Sequence, residues 1–166
     1  MQHFVKMLKA GGRAGIVIKN TFLSNADAIE LRKMLLEETN LHTILDLPQG
    51  VFTGAGVRTV VLFFDKGKAT KDIWYYHLNP GRTLGKTTAL TEDDMEEFVR
   101  TQKTREEGPN SWLLKLSSLG KDFDLSVHNP NKTDTFDERS TVQIAKEIDG
   151  LNKKNAVLLE EILQML

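Results

Sequence analysis

Cysteine is absent from the 166 residues, which excludes disulfides and thiolate metal sites and is compatible with a reducing compartment. Excess charge is absent as well. Twenty-two Lys and Arg against 23 Asp and Glu leave a formal net charge of -1, so the chain lacks the basic balance expected of a main phosphate footprint on nucleic acid. No apolar run approaches the roughly 18 residues of a membrane helix, and the first eight residues are too short and too polar for a signal peptide. The expected location is the cytoplasm, with no membrane partner. The histidines, His3, His42, His77 and His128, are scattered with no helical pair among them, so no metal site is expected and each ring is read as a single hydrogen-bonding or surface group. No serine stands in a recognisable nucleophile setting. Gly81-Arg82-Thr83-Leu84-Gly85-Lys86-Thr87 has three residues between its glycines, where a phosphate-binding P-loop needs four. Gly54-Ala55-Gly56 lacks the third glycine of a dinucleotide fingerprint and leads into a strand pattern.

What the chain does have is an alternation of helix and strand patterns in its first half. Its length suits one domain, or one and a part, at about 100 to 200 residues per domain. Phe4, Val5, Met7 and Leu8 fit a short helix stopped by Gly11 and Gly12, since glycine takes the left-handed turn after a helix C-terminus without a Cβ penalty. Residues 14–18 then read as a buried strand. Ser24, Asn25 and Asp27 offer an N-cap and an early acid ahead of Ala28, Leu31 and Leu35 at helical spacing, which predicts a helix to Glu38. Residues 41–47 return as a strand, and strand, crossover helix and strand imply a parallel pair with a right-handed connection. The link from 47 to 57 is too short for another crossover, so residues 57–64 must turn back antiparallel, by a hairpin or by insertion beside an earlier strand.

After Lys66 the pattern changes. Residues 73–78 are strand-like behind a polar turn, and Thr91-Glu92-Asp93-Asp94 caps a helix carrying Met95, Phe98 and Val99. Its acids read as a solvated N-terminal face favoured by the helix dipole. Trp112-Leu113-Leu114 and Phe123-Asp124-Leu125 are short apolar islands, read as irregular structure packed on a partner surface. Thr135-Phe136-Asp137-Glu138 has capping-box spacing and predicts a long tail helix over 136–166. From Thr141 a heptad reading aligns Ile144, Ile148, Leu151, Asn155, Leu158, Ile162 and Met165 on one seam, with Asn155 as a register-setting polar residue. Two readings stand: a seam for a partner helix, or an amphipathic helix against its own domain. Gly150, costing about 1 kcal/mol relative to alanine in a helix interior, is where the helix would divide.

The most informative stretch joins two strand patterns through Leu47-Pro48-Gln49-Gly50-Val51-Phe52-Thr53-Gly54-Ala55-Gly56-Val57-Arg58-Thr59. It places one phenylalanine among glycines. This run resembles the motif after the last parallel strand of adenine-N6 DNA methyltransferases, specifically the modification subunit of type I restriction-modification systems: leucine-proline-x-glycine-x-phenylalanine, then glycine-valine-x-threonine and an apolar strand ending in lysine. Upstream, residues 8–18 are similar to the helix, glycine turn and strand that follow the family's catalytic asparagine-proline-proline-aromatic motif. Neither that motif nor the glycine-rich S-adenosylmethionine loop occurs in these residues. Asn79-Pro80-Gly81 and Asn129-Pro130-Asn131 lack its second proline and aromatic, and both read as turns.

The resemblance implies an α/β fold: the C-terminal half of a Rossmann-like methyltransferase sheet with a terminal reversed strand over residues 1–80, plus a mainly helical extension over 81–166. It implies that the intact protein transfers methyl from S-adenosylmethionine to adenine N6 in DNA, while this portion, holding no catalytic or cofactor residues, is inactive alone. The implied partners are DNA, a specificity subunit reached through the tail seam, and a restriction subunit. Phe52 is then the target-base contact, with Gly50, Thr53, Gly54, Gly56 and Arg58 in a DNA-proximal loop. The residues alone, without the resemblance, favour Phe52 as a surface anchor packed back on the core and Arg58 as a solvated strand charge.

Overall fold

The computed structural model describes residues 1–52, 56–132 and 140–165; Thr53, Gly54 and the predicted capping box at 135–138 lie outside them. Residues 1–132 and 133–166 form separate compact units. In the first, α1 (Gln2–Met7), β1 (Arg13–Lys19), α2 (Ile29–Glu38), β2 (Thr39–Asp46), β3 (Thr59–Lys66), β4 (Asp72–His77), α3 (Glu92–Thr101) and β5 (Ser111–Lys115) follow one another. Local chemistry sets these bounds. Gly11 takes φ +74 after α1, and Asn25 accepts a hydrogen bond from the Asp27 amide at the turn entering α2. At α3, Thr91 and Asp94 form a reciprocal capping box.

The strands make one mixed sheet in the order β1-β3-β2-β4-β5. β3 does turn back antiparallel, by insertion between β1 and β2. The expected β1–β2 parallel pair is therefore corrected: the two run the same way but β3 separates them. The reversed strand β3 is also interior and not the last of the sheet, because β4 pairs parallel with β2 and β5 antiparallel with β4 beyond it. The physical reason lies in β3 itself. Val60, Leu62 and Phe64 pack into one core while Val61 and Phe63 face the other, and a strand apolar on both faces belongs inside a sheet covered on both sides.

One face packs Leu35 and Leu36 of α2 on Leu41, Ile44, Leu62, Phe64, Ile73 and Tyr75. On the other, Phe98 of α3 stacks at 6.0 Å on Trp74 and edge-on at 5.3 Å against Tyr76. Two further expectations change. Trp112, Leu113 and Leu114 are strand β5, with Trp112 stacked on Tyr75 at 5.1 Å. Leu125 is irregular but fully buried in the chain's own core, not on a partner.

A buried cation organises that irregular segment. Arg32, 0% exposed on α2, donates to the carbonyls of Phe22 and Asn25 at 2.9 and 2.7 Å and of Asp122 and Phe123 at 2.8 Å each. Tyr75 Oη donates to the Leu125 carbonyl at 2.6 Å, and the Leu125 amide donates to Leu23.

In the second unit, α4 (Thr141–Met165) runs unbroken through Gly150, the position where a division was weighed. One glycine's propensity cost is small against the hydrogen bonds that continuity keeps. Ser140 and Gln143 form a reciprocal cap, the Gln143 side chain accepting from the Ser140 amide at 2.7 Å and Ser140 Oγ from the Gln143 amide at 3.3 Å.

Candidate functional site

The loop between β2 and β3 is closed at its base by the Leu47 amide donating to the Thr59 carbonyl at 3.1 Å and by the Asn20 amide donating to the Arg58 carbonyl at 3.0 Å. Leu47 is buried and Val51 packs against the core on the α3 side. Gly50 has φ +91, and a Cβ there would lie 2.2 Å from the Leu84 carbonyl oxygen. Only glycine fits so close a backbone approach. With Gly50 and Val51 turned inward, Phe52 stands 45% exposed, and no ring stacks on it among the described residues. Val51, not Phe52, is the anchor. Gly56 takes φ +59 in open space, so its requirement is the left-handed backbone alone.

Arg58 is not a freely solvated charge. Its Nη2 donates to Asp46 Oδ2 at 2.7 Å, and His77 Nδ1 lies 3.0 Å from the same oxygen. Asp46 and His77 end β2 and β4 and are cross-strand partners in the parallel register, so both side chains leave the same face at the carboxyl end of these strands. Asp46 Oδ1 is buried without a hydrogen-bond partner among the described residues. The sequence carried no signal for this cluster, because its members lie 12 and 31 positions apart on strands whose order the pattern did not give.

The cluster borders a cavity of about 320 Å³ at that end of the sheet, floored by Ile44, Tyr75 and Trp112 and rimmed by Asn20, His128 and Lys132. Asn129 shapes the rim through its turn: its Oδ1 accepts from the Asn131 amide at 2.8 Å and its Nδ2 donates to the Pro109 carbonyl. Asn79 likewise accepts from the Gly81 amide at 3.1 Å. Both catalytic-motif lookalikes are thus side-chain-closed turns, as expected. The P-loop lookalike enters no helix, and its Arg82 is held in a bidentate pair by Asp94. That pairing, with the Thr91 cap, holds the Asp94 carboxyl well below the usual carboxylate range.

A second polar cluster surrounds His42, which the β2 bulge between Leu41 and Thr43 carries. His42 Nδ1 lies 2.9 Å from Thr43 Oγ1 and Nε2 3.8 Å from Asp65. Burial and the Arg105 charge push the imidazole pKa down, against a smaller opposing pull from Asp65. No group of three or more His, Asp or Glu is placed to hold a metal among the described residues.

On α4, the seam positions Ile148, Leu151, Leu158 and Ile162 are 50 to 59% exposed, and Asn155 is exposed among them. Ile144 is half-buried. Val142, Leu159 and Leu163 are exposed as well, so the apolar surface is broader than a single seam.

This fold and loop define a class: the chain belongs to the N-6 DNA methylase family, whose family model matches residues 1–139. Within it the relatives are methylase subunits of type I restriction enzymes. The chain is 30% identical over 149 residues to the EcoEI methylase subunit of Escherichia coli, covering 82% of this chain and 30% of that protein. It is 37% identical over 111 residues to the EcoKI methylase subunit of E. coli K12, covering 60% and 21%. Among solved structures, a modification subunit of a putative type I restriction enzyme from Vibrio vulnificus YJ016 matches with TM-score 0.74 at 31% identity over 79% of this chain and 31% of that one. A second, from work on complex assembly and conformational transition of the type I R-M system, matches with TM-score 0.72 at 27% identity over 99% of this chain and 38% of that one. The chain thus spans between a fifth and two fifths of the length of these proteins.

Proposed function

We infer that this chain is the target-base portion of a type I adenine-N6 DNA methyltransferase subunit, the C-terminal half of its methyltransferase domain with the following extension, in which Phe52 stacks on the adenine turned out of the duplex. The observation that carries this reading is Phe52 itself, a half-exposed ring that directly follows the inward-turned Gly50 and Val51. A base inside a duplex is out of reach, so an enzyme that modifies it must extrude it and replace its lost stacking. An aromatic face contributes about 1 to 3 kcal/mol per base, comparable with the cost of unstacking. In this reading residues 1–80 complete the methyltransferase sheet and residues 81–166 are the extension, whose β5 edges the same sheet.

The methyl group would come from S-adenosylmethionine in the intact enzyme, but the residues present do not fit that group. Neither the glycine-rich cofactor loop nor the asparagine-proline-proline-aromatic motif that the resemblance calls for occurs among them. The 166 residues alone therefore transfer no methyl group and bind no cofactor; a micromolar one-to-one calorimetric isotherm with S-adenosylmethionine would overturn this part. The test of the ring is kinetic. In the full-length subunit assembled with its specificity subunit, Phe52→Ala should lower methylation at least tenfold, and Phe52→Trp should retain most of it. Equal rates in both variants would remove Phe52 from the base site.

The exposed apolar face of α4 favours a second role in the same polypeptide: docking on the specificity subunit through Ile144, Ile148, Leu151, Asn155, Leu158 and Ile162, within a complex that also takes up a restriction subunit.

A further inference from the structure

We propose that the cavity at the carboxyl end of β2 and β4 is a phosphate site, which seats a backbone phosphate of the DNA strand carrying the target base; this rests on the reading of Phe52 above. Three observations lead there. The first is charge. Arg58 and Lys132 border the cavity with Asp46 as the one carboxylate on its lining among the described residues, and Asp46 is already shared by Arg58 and His77 through a single oxygen. Asp124, in the segment that roofs the cavity, is occupied by the Ser126 amide and hydroxyl.

The second is unspent donors. Arg58 Nε and Nη1, Lys132 Nζ and the Asn20 carboxamide have no partner among the described residues, whereas Asp46 fixes the guanidinium by its Nη2 edge alone. A guanidinium oriented by a carboxylate and left with a free edge matches the geometry of phosphate oxygens.

The third is position. Phe52 follows Asp46 by six residues on the loop that leaves the carboxyl end of β2, and ligands in sheets of this kind sit outside the carboxyl ends of parallel strands. A nucleotide that leaves the stack rotates about its own backbone, so its flanking phosphates must be held while the base moves. The chain's net charge of -1 then means that this site positions one strand and does not supply bulk affinity.

The experiment uses the full-length subunit with its specificity subunit and a cognate duplex. Equilibrium affinity is measured across salt concentration for wild type, Lys132→Gln, Arg58→Gln and, as a control at the opposite end of the sheet, Lys115→Gln. Each of the first two substitutions should make the slope of log affinity against log salt less negative by up to about 0.9, the value of the one phosphate that both cations serve, and Lys115→Gln should leave it unchanged. Because Arg58→Gln removes one of the two partners of Asp46, Lys132→Gln carries the result if Arg58→Gln lowers the melting temperature. In parallel, neutral methylphosphonates replace the phosphates flanking the target adenine one at a time. One position should weaken wild-type binding by more than it weakens Lys132→Gln binding, in which Arg58 alone remains to meet the phosphate. Equal losses in wild type and variant at every position, or unchanged salt slopes, would overturn the site. Inorganic phosphate that binds the cavity without competing with the duplex would assign it to a free anion and overturn the DNA source. Methyl transfer by the wild-type complex is scored alongside: its absence refutes the reading of Phe52, and its presence with unchanged slopes refutes the phosphate site alone.

Discussion

Replacing Arg32 by methionine tests how the roof of the cavity is held. Methionine keeps much of the aliphatic length but strands four carbonyl oxygens, those of Phe22, Asn25, Asp122 and Phe123. Hydrogen bonds from a charged donor contribute about 1.5 to 3 kcal/mol each, so the gross loss is roughly 6 to 12 kcal/mol. Two effects oppose it. Removing a buried charge returns a desolvation cost of several kcal/mol, and the part-buried carbonyls of Asn25, Asp122 and Phe123 can recruit water, whereas that of Phe22 is enclosed. The net expectation is a destabilisation of about 2 to 4 kcal/mol in urea unfolding, within the range for broken buried polar networks. Arg32→Lys should fall between, since an ammonium cannot span the fork that four acceptors define. The loss should also be local. Hydrogen exchange at the Leu125 amide, which donates to Leu23, should accelerate more than exchange at Ile44 in the centre of β2. If Arg32→Met unfolds within about 0.5 kcal/mol of wild type, the usual spread for substitutions away from such networks, and Leu125 keeps its protection, desolvation has won and the latch is refuted.

Two other outcomes are expected. In the full-length subunit, Leu151→Glu with Leu158→Glu should reduce co-purification with the specificity subunit by several orders of magnitude in affinity, at about 1.5 to 3 kcal/mol per buried leucine removed; unaltered co-purification would sink the docking role, and a collapsed circular dichroism melt would mark the seam as intramolecular core. For His42, whose folded pKa is pushed below 6.5, the unfolded chain takes up the proton first, so stability should decline as pH falls through 6.5 towards the folded value. His42→Gln should remove that component from a urea titration run across pH, and an identical pH profile in the variant would contradict it.

How far the sequence carried the fold depended on whether the determining contacts were local. Helix α2 ends at Glu38 as the spacing predicts, and Thr91 caps α3, because a cap and a 3.6-residue period are set within a turn or two of chain. The short link after Leu47 likewise forces β3 to reverse. It does not say where β3 lies, since hairpin and insertion both satisfy that constraint. Trp112, Leu113 and Leu114 escape a strand reading for a related reason: a five-residue edge strand flanked by Ser, Gly and Asn carries little period of its own, and Tyr75, the partner of Trp112, lies 37 residues away. At the candidate site, the loop that carries Phe52 is legible from residue types, while the base-contact role proposed for the ring comes from the resemblance. The Asp46, Arg58 and His77 cluster is not, because three common polar residues announce nothing until strand order sets them side by side.

That strand order also explains how one ring can be held out from the protein. With β3 between β1 and β2, the chain leaves and re-enters the sheet at adjacent strands, so the Asp46–Arg58 ion pair and the Leu47–Thr59 hydrogen bond close the loop at its root. Gly50 against Leu84 and Val51 in the α3-side core then fix its first half. Every residue fixed in advance is backbone entropy, at about 1 to 2 kcal/mol per residue, that a ligand need not supply on binding. Phe52 is the first side chain after these anchors. In the role proposed for Phe52, a base contact worth about 1 to 3 kcal/mol loses less of its value to ordering because the two residues before the ring are already anchored.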